Sequence, residues 1–449
     1  MSTATSESTT NANKLAKNIM IALILGIAAG LGFMAIRQHV SESTWTVINN
    51  LLFQDITAKG AETAVGLFYI GGQLFVRALQ LVIVPMVFTS IALAICTITD
   101  AKTLGRVSAK TLFFFLLTTV VGLLLASVVG IIVYNAGLFN ANIEGLTAST
   151  GSTGSNPLNV VLNIVPSNIG TTFSSNSSVL AIVFLAVVVG LCMNKLGAEK
   201  SSALHKLFEE INDVIVRFLN FVVTKFAPIA IFMLLCRTFA SYGTNYLKPA
   251  MVYIIVTVVL LLIYLFLGYP LYVLLFTGLN PRPFAKKIMP VIMLGFSTSS
   301  SAATLALNME TTTKRLGVDP TIASFVLPLG MTVNMDGTAI MQVVATLFIA
   351  GCAGFKVTLG SIILIAALAL VASVGTPAAP GAGAVVLFTI LSGVGLTSDA
   401  ALLAYTLILA INRPIEMLVT ALNVVGDATT CMYVSKSENL LDMDVYQGK

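Results

Sequence analysis

Six apolar runs of this 449-residue chain are long enough, at about 20 residues for a crossing, to sit in a bilayer: Asn18–Ile36, Val65–Ile98, Thr111–Tyr134, Val179–Met193, Ile211–Cys236 and Met251–Phe276. Lipid offers no hydrogen bonds, so every backbone N–H and C=O placed there must be satisfied within the chain, by a helix or a closed barrel. Runs of this length specify helices. Composition agrees, with 57% apolar and only 10% charged residues, so the chain reads as an all-α polytopic membrane protein. The second run is longer than one crossing needs, which predicts strong tilt.

The formal charge of +5 is dispersed over short loops, which excludes a nucleic-acid surface. Lys102, Arg106 and Lys110, then Lys195, Lys200 and Lys206, then Arg282, Lys286 and Lys287 mark inward loops, whereas residues 135–178 carry no Lys or Arg and read as an extracellular loop. Residues 1–17 read as a disordered cytoplasmic tail, placing the first span without a cleaved signal and both termini in the cytoplasm. The five cysteines lie in or beside apolar runs without CxxC spacing and read as core residues.

Beyond Lys287 the pattern of plain spans breaks down. The stretch Ile288–Leu307 is interrupted by Ser297-Thr298-Ser299-Ser300-Ser301-Ala302-Ala303-Thr304, and Leu359–Leu391 by Ser373-Val374-Gly375-Thr376-Pro377-Ala378-Ala379-Pro380-Gly381-Ala382-Gly383. Prolines and glycines at that density cannot continue a helix. Each stretch predicts a re-entrant hairpin with a small-residue tip. Each is followed by a span with buried polar groups: Thr321–Ala350 holds Asn334 and Asp336, and Ala400–Val434 holds Asn412, Arg413, Glu416, Thr420, Asn423 and Asp427.

A carboxylate at bilayer depth costs roughly 2.5–3.5 kcal/mol even on the lenient insertion scale, so Asp336 predicts an ion site; the alternative is a protonated Asp satisfied by a neighbouring helix. In the last span Asn412, Glu416, Val419, Asn423 and Asp427 share one helical stripe. Arg413, three residues before Glu416, could pair with it instead of leaving it for a ligand. One unit used twice, broken near the midplane, is the sequence pointer to a secondary transporter's site. Two independently kinked helix pairs are the alternative.

The tip Ser299-Ser300-Ser301 with Thr304-Leu305, the run Asn334-Met335-Asp336-Gly337-Thr338, the tip Gly375-Thr376 with Pro380-Gly381-Ala382-Gly383, Asn423-Val424-Val425-Gly426-Asp427 and Leu116-Leu117-Thr118-Thr119 resemble the dicarboxylate/amino acid:cation symporter family, which includes the glutamate and neutral amino-acid transporters. The resemblance implies about eight transmembrane helices plus two re-entrant hairpins, an inverted-repeat elevator fold, a homotrimer and a plasma-membrane location. It implies scaffold helices in residues 18–98, a transport-domain helix in 99–134, a loop and further scaffold in 135–236, the rest of the transport domain in 237–434, and a cytoplasmic tail in 435–449. It further implies three sodium ions. One would sit among Gly330, Asn334, Asn423 and Asp427. A second would use Thr118, Thr119, Asn334 and Asp336. A third would lie under the second hairpin, at Thr332, Met335, Ser373, Val374 and Thr376. Hard oxygen donors suit that ion.

For the organic substrate, the resemblance assigns Ser299, Ser300, Ser301, Thr338, Ala379, Gly383, Glu416, Val419, Thr420 and Asn423. Members that carry acidic amino acids use an arginine at the position of Val419 or Ser299, and here neither is cationic. A second substrate carboxylate buried there would keep its desolvation cost. Glu416 replaces the family's aspartate at the α-amino group, so the expected cargo is a small neutral amino acid such as alanine, serine or threonine. The rival readings are an acidic amino acid or dicarboxylate bound by Arg413, and an ion channel. An enzyme is not expected: His39 and His205 lie near span ends, and no Ser/His or paired-Asp constellation sits at midplane depth.

Overall fold

A computed structural model describes residues 2–58, 60–98, 105–141, 164–174, 178–376, 378 and 381–448. Its described elements are all helical. The first is α1 (Ser2–His39), followed by the short α2 (Glu42–Ile48). Residues 2–17, where a disordered tail is expected, are helical too; extending an existing helix avoids the cost of nucleating one.

The long second run forms one candidate span, Leu67–Leu93, with a local irregularity. It divides at Val82 into α3 (Leu67–Leu81) and α4 (Ile83–Ile98), because Pro85 has no N–H for the carbonyl of Leu81. Next come α5 (Gly105–Asn135), the short α6 (Ile169–Phe173) and α7 (Val179–Leu196). The centre of the expected extracellular loop, 142–163, lies outside the described residues. The fifth run is sharply bent. It is two helices, α8 (Ala198–Lys225) and α9 (Ala227–Tyr242), bent by 56° at Phe226 where Pro228 starts the second. Cys192 is exposed on α7, unlike the buried Cys236, Cys352 and Cys431.

Helix α10 (Leu247–Thr277) contains π-helical turns at Tyr264–Gly268 and Val273–Thr277, flanking Pro270. After α11 (Pro281–Lys287), the first hairpin is α12 (Met289–Thr298) and α13 (Ser301–Glu310). The broken span that follows is α14 (Pro320–Val333) and α15 (Asp336–Cys352). The second hairpin is α16 (Leu359–Val374) and α17 (Ala382–Val394). The last span is interrupted as well, giving α18 (Asp399–Ile411) and α19 (Arg413–Ser437), with Pro414 in the first turn of α19. Asn412 therefore sits at the break, while Glu416, Val419, Asn423 and Asp427 keep their common face. The chain ends in α20 (Met443–Gln447).

Six helices among the described residues are long and apolar enough to cross a membrane, and the bent α8–α9 pair makes a seventh. The shorter apolar helices α7 and α18 lie outside that count, beside the two hairpins. Helix α1 lies along α9, α9 along α3, and α4 along α7 and α8. The remaining long helices assemble around α15, which packs on α5, α10, α16 and α19 and is buried along its whole length. A helix buried on every side can carry polar groups only where other helices supply partners. It is the axis of the site.

Outside the apolar layer, Glu438 clamps the end of α19 to α5. Its carboxylate accepts from Arg106 and, at 2.6 Å, from Lys110 Nζ. Those donors, Arg106 foremost, hold the Glu438 carboxyl below its ordinary value of 4.5. A lowered folded value means that the clamp's contribution is complete above the ordinary value and disappears as pH falls through the lowered one. Glu438→Gln is expected to lower the thermal midpoint at pH 7 by no more than about 2 °C. The difference should close toward pH 3, and a difference independent of pH would contradict the clamp.

Candidate functional site

The two hairpin tips meet. Ser300 Oγ on the first donates to the carbonyl of Ala378 on the second at 3.1 Å. The first turns back through Ser299, whose φ of 49° is in the left-handed region that a side chain rarely enters. Ser300 then caps α13, its hydroxyl accepting from Ala303 N–H at 3.3 Å. In the second tip Gly381, at φ 85°, makes the corresponding turn before α17.

Where the tips meet, a small space of about 30 Å³ is bordered by Ser299, Ser301, Thr338, Gly383, Glu416, Val419, Thr420 and Asn423 among others. Eight of the ten residues assigned to the organic substrate thus share one wall. Ser300 is the tie between the tips instead, and Ala379 lies outside the described residues. Met335, Met341, Thr376, Ala378 and Gly381 also line the space. Met341 follows Thr338 by one helical turn, so periodicity could have found it; its apolar side chain gave no reason to look.

Glu416 is the charged residue on this wall among the described residues, and its Oε1 accepts from Ala384 N–H of the second hairpin at 3.3 Å. Asn423 is oriented by Gly337 N–H, which donates to its Oδ1 at 2.8 Å, and its Nδ2 donates to Thr338 Oγ1 at 3.2 Å. A Cβ at Gly337 would fall 2.9 Å from the carbonyl oxygen of Val419, so the glycine sets the approach of α15 to α19.

Below this wall lie the residues assigned to ions. The α14–α15 break leaves Asn334 (φ −91°, ψ 87°) and Met335 (φ −119°, ψ 47°) outside helical geometry. Asn334 Nδ2 donates to Asp427 Oδ1 at 3.0 Å, while Asn334 Oδ1 is buried without a hydrogen-bond partner. Thr119 Oγ1 donates to Asp336 Oδ1 at 2.5 Å and Tyr269 OH to Asp336 Oδ2 at 2.9 Å. Tyr264 OH donates to the carbonyl of Thr118 at 2.5 Å. Gly330 lies against Asp427, where a Cβ would collide with the carboxylate.

The structure brings Gly330, Asn334 and Asp427 together, and Thr119 to Asp336. Asn423 instead faces Gly337 and Thr338. Around the third assigned set, Thr332 Oγ1 donates to Leu329 O at 3.0 Å and Thr376 N–H to Ser373 O at 3.1 Å, each within its own segment. Two buried carboxylates among oxygen donors, with the unpartnered amide oxygen of Asn334 on a side chain that bonds one of them, suit a hard monovalent cation. The tyrosines of α10 were missed, because nothing in an aromatic residue of an apolar run distinguishes packing from donation.

Paired broken hairpins, half-helices ending at a buried polar centre and an axial helix without a lipid face define a secondary transporter. The chain belongs to the sodium:dicarboxylate symporter family, whose model matches residues 15–437. It is 28% identical over 441 residues to the proton/glutamate-aspartate symporter of Escherichia coli, covering 95% of this chain and 94% of that protein. It is 30% identical over 374 residues to the proton/sodium-glutamate symport protein of Bacillus caldotenax, covering 82% and 87%. It is also 30% identical over 460 residues to the human neutral amino acid transporter B(0), covering 93% and 79%. The relatives are transporters and not enzymes, as the scarcity of histidine predicts.

Proposed function

We propose that the chain is a sodium-coupled symporter of a small neutral amino acid, working as a homotrimeric elevator in the plasma membrane. The observation that carries the substrate is the wall between the hairpin tips: among the described residues it holds one carboxylate, Glu416, and no lysine or arginine. Glu416 would take the α-ammonium. Asn423 and the start of α13 at Ser301 would take the α-carboxylate, aided by the helix end. Val419, Thr338, Thr420 and Gly383 would face a short side chain, with hydroxyls that suit serine and threonine as well as alanine.

Sodium would bind at Asn334 with Asp427, at Asp336 with Thr119, and under the second hairpin. Three ions driven by a tenfold gradient and 100 mV supply roughly 11 kcal/mol, enough for steep accumulation of a zwitterion. A measured coupling ratio of one would contradict that stoichiometry. The elements around α15 would move as the transport domain against α1, α3, α4, α7, α8 and α9. Competition of twenty amino acids against labelled serine in proteoliposomes tests the substrate class. Alanine, serine and threonine should compete, with aspartate and succinate inert. Val419→Arg should admit aspartate with at least about tenfold better competition, since the new cation would pair a carboxylate that is otherwise buried alone. Unchanged selectivity would mean that Val419 does not face the side chain.

One observation favours the acidic reading. Arg413 is buried three residues before Glu416, and its Nε and Nη1 have no hydrogen-bond partner. Aspartate or succinate uptake abolished by Arg413→Ala, with alanine and serine ignored, would establish it.

A further inference from the structure

Glu416 stands between two cavities. One is the space at the hairpin tips, and the other lies behind it, lined by Ile19, Phe75, Val223, Leu409, Asn412 and Arg413; Glu416 and Gly381 border both. The Arg413 guanidinium opens on the rear cavity. Its Nη1 is 3.7 Å from Glu416 Oε2, with both side chains 9% exposed. That distance is within ion-pair range but beyond a hydrogen bond, and Arg413 Nε and Nη1 donate to nothing. Asp336 and Asp427 are held differently, accepting from the neutral donors Thr119, Tyr269 and Asn334. Among the described residues, Glu416 is the one of these three carboxylates with a cation in reach.

We propose that Arg413 is a built-in counter-ion that takes over Glu416 whenever the substrate's ammonium is absent, so that the empty carrier can reorient. This rests on the reading that Glu416 meets the ammonium of a neutral amino acid. A loaded carrier brings its own cation to Glu416. An empty one would have to carry a lone buried carboxylate through the apolar layer, a state that removal of one partner from a buried pair makes strongly unfavourable. Arg413 and Glu416 lie three residues apart on α19, so the compensation travels with the helix. Because Arg413 approaches from the rear cavity, it can close on Glu416 without entering the space the substrate uses. Arg413 is thus a positioning residue that leaves the bound substrate untouched.

The consequence is kinetic. Exchange needs only the loaded carrier to reorient, whereas net uptake needs the empty carrier to return. The experiment measures both in proteoliposomes holding the full chain, with labelled serine. Arg413→Gln should leave exchange within about threefold of the unsubstituted protein while net uptake falls at least about 30-fold, and Arg413→Lys should retain both. Equal loss of exchange and net uptake, or loss of neither, overturns the proposal. Should Arg413→Gln fail to fold, Arg413→Met replaces it. The ratio of net uptake to exchange is then expected at least about tenfold higher with lysine than with methionine, and equal ratios overturn the proposal. Glu416→Gln separates the underlying reading. An unchanged exchange KM means that Glu416 does not meet the ammonium, whereas a raised KM beside an unaffected Arg413→Gln ratio sinks the counter-ion role alone.

Discussion

Asp336→Ala is expected to lower sodium-driven uptake by about 100-fold or more, equivalent to about 2.8 kcal/mol of lost ion binding. The substitution removes a carboxylate that would face the ion and strands a buried donor, the hydroxyl of Tyr269, whereas Thr119 Oγ1 keeps the carbonyl of Phe115 at 2.9 Å. A stranded group costs about 1–3 kcal/mol by itself, so a folding control is needed. Asp336→Asn keeps the shape and an acceptor oxygen while removing the charge, and should fold while still failing to respond to sodium. The readout that does not depend on transport is thermal stabilisation of the detergent-solubilised protein by sodium, which follows occupancy through mass action. Sodium should raise the midpoint of the unsubstituted protein and leave that of Asp336→Asn unmoved. Equal stabilisation of both would place the ion elsewhere.

Gly426→Ala should be nearly as damaging, although it changes no polar group. A Cβ at Gly426 would lie 2.5 Å from Tyr269 OH and 2.6 Å from Asn334 Nδ2. Neither can move freely, since Tyr269 donates to Asp336 and Asn334 to Asp427. One methyl group therefore presses on both carboxylate arrangements at once, and close-packed interiors absorb little of such a change. The expected result is a sodium half-saturation raised at least about tenfold, because displaced partners of an ion site typically cost 10–100-fold in affinity. Gly32, whose Cβ would meet nothing within 4 Å, provides the control. A Gly426→Ala protein whose half-saturation stays within about twofold of the unsubstituted one would contradict the packing argument.

The hairpins were legible because proline and glycine act locally. Serines at one tip, and Gly375 to Gly383 at the other, interrupt helices wherever they occur, and their placement between apolar arms needed no tertiary knowledge. Buried polar residues were legible for a related reason: Asn334, Asp336, Asn423 and Asp427 are too costly in lipid to lack a purpose. Divisions inside longer spans were harder. Val82 and Phe226 mark breaks that depend on a single proline two or three residues on, and the apolar run continues across each without a polar signal. Asn412 shows the same limit, since the stripe that joins it to Glu416 presumes one continuous helix where Pro414 begins a second. Tyr264 and Tyr269 were invisible for another reason. An aromatic residue in a hydrophobic run has the same pattern whether its hydroxyl faces a carboxylate or a neighbouring backbone. The register of α19 against α15 likewise depends on Gly337, which no periodicity identifies.

For Asn423, spacing gives the face of α19 and not the direction of the side chain. The resemblance assigned it to both an ion and the substrate, and the structure turns it toward Gly337 and Thr338 on the substrate side.

The central claim is that a sodium gradient drives a neutral amino acid, and it is tested most directly by labelled serine uptake into proteoliposomes with pH equal on both sides. Serine should accumulate when sodium is imposed outside only, and accumulation should collapse when sodium is equal across the membrane. Accumulation of serine driven by a proton gradient without sodium, or accumulation of aspartate while serine is ignored, would contradict the account.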